Sequence, residues 1–288
     1  MTRCHLHHMR IDMTLGRQHR RGTLRKNPGV GFPRHRLIYR RDLLRELVGR
    51  DMKLRYKRSV LGIAWTLLNP LMQLLVFLFV FNVVLPLNIP HYSSFLFTGI
   101  LAWNWFQGSL NQSTGAIVDN RELLRRPGFS MAILPIVTVT SHLIHFLLAL
   151  PVLLLFLILD GSQLTSTLFA LPVVIALQFL LTLGLAYLVA TFHVTFRDTQ
   201  YLLNVLLNLF FYLTPVFYEA SAIPTRYQAL YHLNPMVVLI DAYRAILAHG
   251  ILPPHRVALL VLGLGATGVL AYGSVTFMRA SSRFVEEL

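Results

Sequence analysis

Long uncharged stretches separated by short charged segments dominate this chain. Residues 59–118 contain no Lys, Arg, Asp or Glu, and four further uncharged stretches cover residues 127–159, 161–196, 199–218 and 257–278. A single helix over residues 59–118 would be about 90 Å long, about three times the thickness of a bilayer core. The first stretch must therefore turn back on itself, and Pro86 and Pro90 mark the turn. The pattern predicts six membrane spans.

Each span is predicted to be a helix, because lipid offers the backbone no hydrogen-bond partners and the stretches lack the alternation of barrel strands. We expect an all-α polytopic membrane protein with a membrane domain over residues 59–288. Its spans are placed at residues 61–85, 93–118, 132–159, 168–194, 199–218 and 257–279.

Basic residues predict the orientation. Lys and Arg are concentrated before the first span and recur after the second, fourth and sixth, whereas the loops after the first and third spans have none. Cytoplasmic loops carry the excess of Lys and Arg, so both termini are predicted to be cytoplasmic. The segment 219–256 then faces outward. Its prolines around the apolar stretch 237–248 predict two short helices that re-enter the outer leaflet.

Composition agrees with a membrane protein: 55% of the residues are hydrophobic and 13% are charged. The net charge is +14, of which +13 falls in the first 58 residues. Anionic lipid and topology explain such a segment better than nucleic acid does. A single cysteine excludes an internal disulfide.

The basic segment divides into two parts. Residues 1–33 have no apolar periodicity and are predicted to be a disordered tail, with a later translation start at Met9 or Met13 as an alternative. The Cys4–His8 cluster lacks a second ligand pair at zinc-finger spacing, so no metal site is predicted. Residues 34–58 predict an imperfect amphipathic helix along the cytoplasmic interface, with most apolar side chains between Leu37 and Leu54 on one half of the helical wheel.

Several functional groups are missing from the predicted spans. None contains a carboxylate, which counts against a proton-coupled transporter. His142 and His145 are the only candidates for a proton relay, and packing is the alternative role for both. The nucleotide-binding pattern G-x-x-x-x-G-K-[ST] is absent, so any ATP must be hydrolysed by another subunit. We predict no catalytic residue and no cofactor in this chain.

Two long motifs carry a family resemblance. Residues 50–71 read RDMKLRYKRSVLGIAWTLLNPL and residues 196–218 read FRDTQYLLNVLLNLFFYLTPVFY. With Leu233-Asn234-Pro235 and Tyr243-Arg244 after them, the chain over roughly residues 34–288 resembles the permease subunit of type-2 ABC exporters of cell-surface polysaccharides. O-antigen, capsule and teichoic-acid exporters form that group.

The resemblance implies a homodimer in the cytoplasmic membrane, paired with two copies of a nucleotide-binding subunit that holds ATP and Mg²⁺. The implied substrate is a lipid-linked polysaccharide, surrounded by membrane lipids, and nucleic acid is not a partner. The residues also leave open an exporter of a small drug or glycolipid, an ATP-independent channel or secondary transporter, and a membrane-bound glycan-processing enzyme.

The loop 119–130 matches the element that contacts the ATPase subunit in this family. Its charges and helix-like spacing predict a short helix with Asp119 as a cap and Pro127-Gly128 at the end. The predicted coupling residues are Asp119, Arg121, Glu122, Arg125 and Arg126. The alternative is a basic loop that only fixes topology.

Aromatic rings stack on sugars without fixing them tightly, and a few amides supply hydrogen bonds. The candidates for a polysaccharide path are therefore aromatic residues near the middle of the second span, together with amide and aromatic residues of the fifth span. Helix packing is the alternative role for each: Trp103, Trp105, Phe106, Asn204, Asn208, Tyr212, Phe217 and Tyr218.

Two charged groups complete the predicted sites. Arg55, Lys57 and Arg58 lie immediately before the first span, where cations would hold a lipid diphosphate or would anchor ordinary phospholipids. Asp241 and Arg244 are three residues apart in the outward segment and can pair. Family resemblance makes them an outer gate, and a cap on the helix bundle is the alternative.

Overall fold

The computed structural model describes residues 33–57, 59, 62–87, 89–124, 129–162, 165–219 and 223–284. The predicted tail lies outside these ranges except for Pro33. Arg58, Arg125 and Arg126, three of the predicted site residues, also lie outside them. The described residues from Arg41 onward belong to one unit.

Helices form nearly all of the regular structure. The α-helices of the described residues are α1 Pro33–Tyr56, α2 Trp65–Leu78, α3 Tyr92–Gly115, α4 Arg121–Leu124, α5 Ile133–Leu159, α6 Leu171–Thr195, α7 Thr199–Leu213, α8 Thr225–His232, α9 Pro235–Leu247 and α10 Arg256–Ser281. A π-helix, Phe79–Val84, extends α2, and the 3-10 helix Ser166–Ala170 leads into α6. No described residue is in a β-strand, which confirms the predicted all-α class.

Every predicted span contains a helix, but the helices differ in hydropathy. Within the part of the chain that the structure describes, four are long and apolar enough to cross a membrane: Trp65–Val84, Ile133–Leu159, Ser166–Thr195 and Arg256–Ser281. α7 has 15 residues, fewer than the roughly 20 that a perpendicular crossing needs. α3 has 24 residues but is less apolar. Crossing by α3 and α7 stays a prediction.

α3 has polar residues because protein, rather than lipid, surrounds most of it. It contacts α2, α5, α6, α7 and α9. Its segment from Leu96 to Trp103 is buried throughout. A helix shielded in this way does not need a continuous apolar surface, which explains why hydropathy alone does not identify it as a span.

α6 and α10 approach each other closely enough for their backbones to meet. A Cβ placed on Gly184 would lie 2.7 Å from the backbone nitrogen of Leu270, and one on Gly273 would meet the carbonyl oxygen of Gly184. Small residues at such a crossing let two backbones meet, which is how packing stabilises helix pairs in membranes.

α1 matches the predicted range of the amphipathic helix, but its apolar face has a different partner. Leu43, Leu44, Leu47, Val48 and Met52 pack against the start of α5 and the preceding Phe129. Leu54 is 55% exposed. Protein therefore covers much of this face, because α5 presents apolar side chains there, and the position of α1 along the cytoplasmic interface stays a prediction.

The segment 219–256, which is predicted to face outward, contains the two predicted short helices, α8 and α9. Asn234 caps α9, its side chain accepting a hydrogen bond from the Met236 backbone nitrogen at 3.0 Å, and Pro235 occupies the first turn. Nearly all of α9 is buried. Whether α8 and α9 lie in the outer leaflet stays a prediction.

Candidate functional site

One face of α3 carries amides and glycines where a lipid-facing helix would carry apolar residues. Counted from Asn104, the other positions follow after three, four, seven, eight and eleven residues, so all of them share one face of the helix. They are Asn104, Gln107, Gly108, Asn111, Gln112 and Gly115. We call this face the amide stripe. The sequence reading missed it, although the spacing of the amides would have revealed it.

The amide stripe borders a cleft of about 430 Å³ between α1, α2, α3 and α5. This volume lies within the range of small-molecule sites. The cleft has polar walls, which include Arg55, Asn69, Asn104, Asn111, His142 and His145. Its apolar walls include Trp65, Leu101, Trp105 and Phe146. The lining therefore suits an amphiphilic molecule better than a purely apolar or a purely polar one.

A polar network closes one end of the cleft. The Gln112 side-chain oxygen accepts a hydrogen bond from Arg55 Nη2 and lies 2.9 Å from His142 Nε2. Gln112 Nε2 donates to Asp51 Oδ1 at 3.0 Å. A carboxylate only accepts hydrogen bonds, so Asp51 fixes which way the amide points. The network joins α1, α3 and α5 at this point.

A second set of contacts joins α1 to α2 and α5. The Tyr56 hydroxyl bonds with Thr66 Oγ1 and lies 3.2 Å from His145 Nε2. The rings of His142 and His145 have centroids 5.6 Å apart. The two histidines that sequence reading offered as a proton relay therefore form part of the cleft wall.

Gly108 is required where His142 meets α3. A Cβ on Gly108 would lie 2.5 Å from His142 Cε1 and 2.7 Å from Nδ1, too close for any side chain without movement. The glycine lets the imidazole lie against the helix backbone, where its other nitrogen reaches Gln112. The amide stripe thus positions His142 by shape as well as by hydrogen bonding.

The amide stripe continues to α2 and α7. Asn104 Nδ2 donates to Gln73 Oε1 at 3.2 Å, and Gln107 Nε2 donates to Asn208 Oδ1 at 3.4 Å. Asn208 is exposed and Asn204 is half-buried. The structure thus links Asn208, one of the predicted path residues, to residues that line the cleft.

The three predicted aromatic residues of α3 are buried. Trp103 is 1% exposed, its ring packs beside Phe106 and Phe211, and its Nε1 donates to Gln107 Oε1 at 2.9 Å. Trp105 is 2% exposed, borders the cleft and lies beside Phe146. Only Trp105 among the three lines the cleft. The part of all three in a substrate path stays a prediction.

The other predicted aromatics gather at the end of α7 and in the turn that follows it, at the predicted outer end. The Phe217 ring stacks on Phe77 and Phe81, with centroids 5.9 and 5.3 Å away. Tyr218 donates to the Tyr212 carbonyl at 3.2 Å, and the Tyr212 side chain is 62% exposed. This cluster does not line the cleft.

Arg244 binds backbone carbonyls in the bundle interior. It donates from Nη1 to Pro215 O and from Nη2 to Val216 O, both at 2.7 Å, and from Nε to Phe95 O at 3.3 Å. Its guanidinium lies 3.4 Å above the Phe95 ring. We call this arrangement the Arg244 clamp, since it ties the turn after α7 to α3 and α9.

The electrostatics of the Arg244 clamp follow from its burial. Burial lowers the pKa of Arg244 to about 9, so the side chain stays charged at neutral pH, and the negative charge of Asp241 opposes that shift. Asp241 is half-buried. The described hydrogen bonds of Arg244 go to carbonyl oxygens, and a gating role for this pair stays a prediction.

The predicted coupling loop contains a short helix. α4 spans Arg121–Leu124, with Arg121 and Glu122 exposed. Leu123 is buried with Ala116 and Leu134, and this group contacts Leu47 of α1. Asp119 is exposed in the preceding 3-10 helix. The charged side chains therefore face away from the bundle while Leu123 anchors the element to it.

Of the predicted head-group cations, Arg55 lines the cleft and Lys57 is exposed. A second cavity of about 310 Å³ lies on the other side of Asp51 and Gln112, towards Asp119 and Asn120. In the part of the chain that the structure describes, no cluster of His, Cys, Asp or Glu has the make-up of a metal site.

Comparison with known proteins places these features in a family. Residues 42–248 match the model of the ABC-2 type transporter family. An O-antigen export system permease protein of Myxococcus xanthus is 38% identical over 250 residues, covering 86% of this chain and 96% of that protein. A Klebsiella pneumoniae protein of the same description is 30% identical over 258 residues, covering 88% of this chain and 98% of its own.

A more distant relative is the polysialic acid transport protein of Escherichia coli, 26% identical over 203 residues, or 68% of this chain and 77% of that protein. The family match and the four apolar helices identify an integral membrane protein. This chain belongs to the ABC-2 type transporters.

Proposed function

We propose that this chain is the permease subunit of an ATP-driven exporter that moves a lipid-linked, cell-surface polysaccharide out across the cytoplasmic membrane. The observation that carries the proposal is the near full-length similarity to O-antigen export permeases, 96% and 98% of whose lengths are covered. The amphiphilic cleft supports it, because a lipid-linked glycan has both an apolar and a polar part.

The proposed topology has six spans and cytoplasmic termini. α3 is shielded by its neighbours, so its amides do not oppose a transmembrane position. α7 ends at a turn that the Arg244 clamp holds inside the bundle, so its 15 residues need not cover the whole crossing alone. The alternation of basic loops supports the orientation.

We further propose a homodimer with two copies of an ATPase subunit, which would bind ATP and Mg²⁺. None of the three lysines of this chain, Lys26, Lys53 and Lys57, follows a glycine, so a phosphate-binding loop is lacking. A second copy would cover exposed amides such as Asn208, which are costly to leave in lipid. α4 and its exposed charges are the proposed contact with the ATPase.

Deletion and complementation test this function. Deleting the gene should remove surface polysaccharide, as seen on a glycan gel, and the intact gene should restore it. Restoration should also require the ATPase gene, and the two proteins should copurify. Unchanged surface glycans would contradict the proposal and favour an exporter of another amphiphile.

Two further results would point instead to a different class of protein. Transport that continues after ATP depletion, by a chain that purifies without an ATPase, would indicate a channel or secondary transporter. Turnover of a lipid-linked sugar by the purified chain would indicate a glycan-processing enzyme. Each result is distinct from the loss of export that the proposed function predicts.

A further inference from the structure

Two hydrogen-bond donors from different helices converge on one neutral oxygen at the end of the cleft. Arg55 Nη2 donates to Gln112 Oε1, and His142 Nε2 lies 2.9 Å from the same oxygen. The two nitrogens are 3.5 Å apart. With its proton on Nε2, His142 donates to the amide oxygen alongside the guanidinium.

The amide oxygen of Gln112 is a weaker hydrogen-bond acceptor than the anionic oxygens with which Arg55 and His142 could bond. An amide oxygen has no net charge, whereas a guanidinium forms its shortest and strongest hydrogen bonds with phosphate and carboxylate oxygens. Gln112 cannot turn its nitrogen toward Arg55 without losing the bond to Asp51. The arrangement is therefore that of an anion site whose occupant is a neutral side chain.

We propose that Arg55 and His142 bind an anionic oxygen of an amphiphilic substrate, and that Gln112 fills this position when substrate is absent. The inference rests on the proposed function in one respect, namely that the substrate is lipid-linked. The shared chemistry is a phosphate or carboxylate oxygen, carried either by the lipid head group or by an acidic sugar.

The rest of the cleft fits such a ligand. No Asp or Glu is among its described lining residues, and the carboxylate of the polar network, Asp51, bonds to the Gln112 amide nitrogen rather than to the oxygen that Arg55 and His142 share. Trp65, Leu101 and Phe146 offer an apolar wall for a chain, and Asn69 and Asn111 offer polar contacts. The Asn111 side-chain oxygen is buried without a hydrogen-bond partner and can accept from a ligand hydroxyl.

Displacement of Gln112 would also release one link between α1 and α3, because the amide would leave Asp51. Leu47, about two turns before Arg55 on α1, packs on the group that contains Leu123 of α4. Binding at Arg55 would in this way reach the element proposed to face the ATPase.

Binding to the purified full-length chain tests the proposal. Trp65 and Trp105 line the cleft, so intrinsic tryptophan fluorescence reports an arriving ligand. The probes are a polyprenyl phosphate against the neutral polyprenol, and dodecyl glucuronide against dodecyl glucoside. At least one anionic probe should bind about tenfold more tightly than its neutral counterpart.

The variants predict effects of opposite sign. Arg55→Gln should weaken the anionic probe about tenfold to a hundredfold, the range for a lost hydrogen bond to a charged group. Gln112→Ala should tighten binding, because it removes the internal competitor. Arg45→Gln, an exposed charge on α1 outside the cleft lining, is the matched control and should leave binding unchanged.

The results distinguish the two possible sources of the anion, and they include outcomes that would overturn the proposal. Selectivity for the phosphate would assign the site to a lipid head group, and selectivity for the glucuronide would assign it to an acidic sugar. Equal binding of charged and neutral probes would overturn the proposal. Weakening by Gln112→Ala as large as that by Arg55→Gln would overturn it too, because it would indicate a purely structural network.

Two precautions keep the outcome interpretable. If Arg55→Gln does not fold, as judged by gel filtration and thermal unfolding, Arg55→Lys replaces it and should also weaken binding, because Lys lacks the planar fork. Binding is measured without the ATPase, whereas export is measured in cells. Failure of the anion site and failure of the proposed function can therefore be told apart.

Discussion

Replacing Arg244 by Lys tests the Arg244 clamp while keeping the charge. The guanidinium makes hydrogen bonds of 2.7, 2.7 and 3.3 Å to three carbonyl oxygens on two segments of the chain. An ammonium group is a compact point charge and cannot reproduce the planar fork that spans Pro215 and Val216. The substitution should therefore remove at least two of the three bonds.

The magnitude follows from these bonds. Each hydrogen bond to a charged group contributes about 1.5–3 kcal/mol, and the more strongly hydrated ammonium of Lys costs at least as much to bury as the guanidinium of Arg. Two lost bonds, partly replaced by one bond from Lys, give a destabilisation of about 3 kcal/mol. That is a large share of the roughly 5–15 kcal/mol that stabilises a typical domain.

Unfolding in mixed lipid and SDS micelles, followed by tryptophan fluorescence, measures this effect. Arg226→Lys is the matched control: it makes the same exchange at an exposed side chain whose guanidinium carbon lies 4.6 Å from the centre of the Tyr227 ring. It should cost under about 0.5 kcal/mol. If Arg244→Lys is equally mild, the clamp does not hold the turn and the reasoning fails.

A second substitution at the same contact provides an independent check. A Cβ on Gly99 would lie 2.8 Å from Val216 O and 3.0 Å from Arg244 Nη2. Gly99→Ala should therefore push the turn away from α3 and cost about 1–3 kcal/mol, the usual range for overpacking. The effects of the two substitutions should not add, because both loosen the same turn.

Three more substitutions test the buried aromatic, the coupling loop and its anchor. Trp103→Ala should lower the free energy of unfolding by about 3 kcal/mol or more in the same assay, because the Trp103 ring is buried. Tyr212→Ala, at an exposed position, is the control and should cost under about 1 kcal/mol. If both variants are equally stable and only Trp103→Ala loses export, a path role for Trp103 is favoured. Charge reversal of Arg125 and Arg126 should lower export by weakening contact with the ATPase, and unchanged export from an assembled complex would leave the loop as a topology signal. Leu123→Asp should detach α4 from Leu47 and Leu134 and lower export without preventing membrane insertion, as measured by membrane fractionation, whereas full export would contradict the anchoring role.

Much of the fold could be predicted because lipid imposes strict local rules. Two helices were indicated by the absence of charge over residues 59–118 and by the prolines near residue 86. The structure has α2 with its π-helix before these prolines and α3 after them. The prolines around the apolar stretch of segment 219–256 likewise predicted α8 and α9. These features depend on properties of each segment alone, so the sequence reveals them without knowledge of neighbours.

The candidate site depended on which helices face each other, and the sequence did not show this. The sequence predicted that residues 34–58 lie along the cytoplasmic interface, but it did not show that α1 packs on α5. Trp103 was a candidate for the substrate path or for helix packing, and only the structure shows that protein neighbours bury it. The cleft requires α1, α2, α3 and α5 together, and no single segment contains the pairing of Arg55 with Gln112 and His142.

The sequence by itself determined where helices begin, which are apolar, and which family motifs they carry. Only the tertiary structure decided that Arg244 bonds to Phe95, Pro215 and Val216, and that Gly108 admits His142. The physical reason is that lipid is as apolar as the helix surfaces it surrounds, so hydrophobicity does not select partners within the membrane. Close packing and hydrogen bonds select them, and both join residues far apart in the chain.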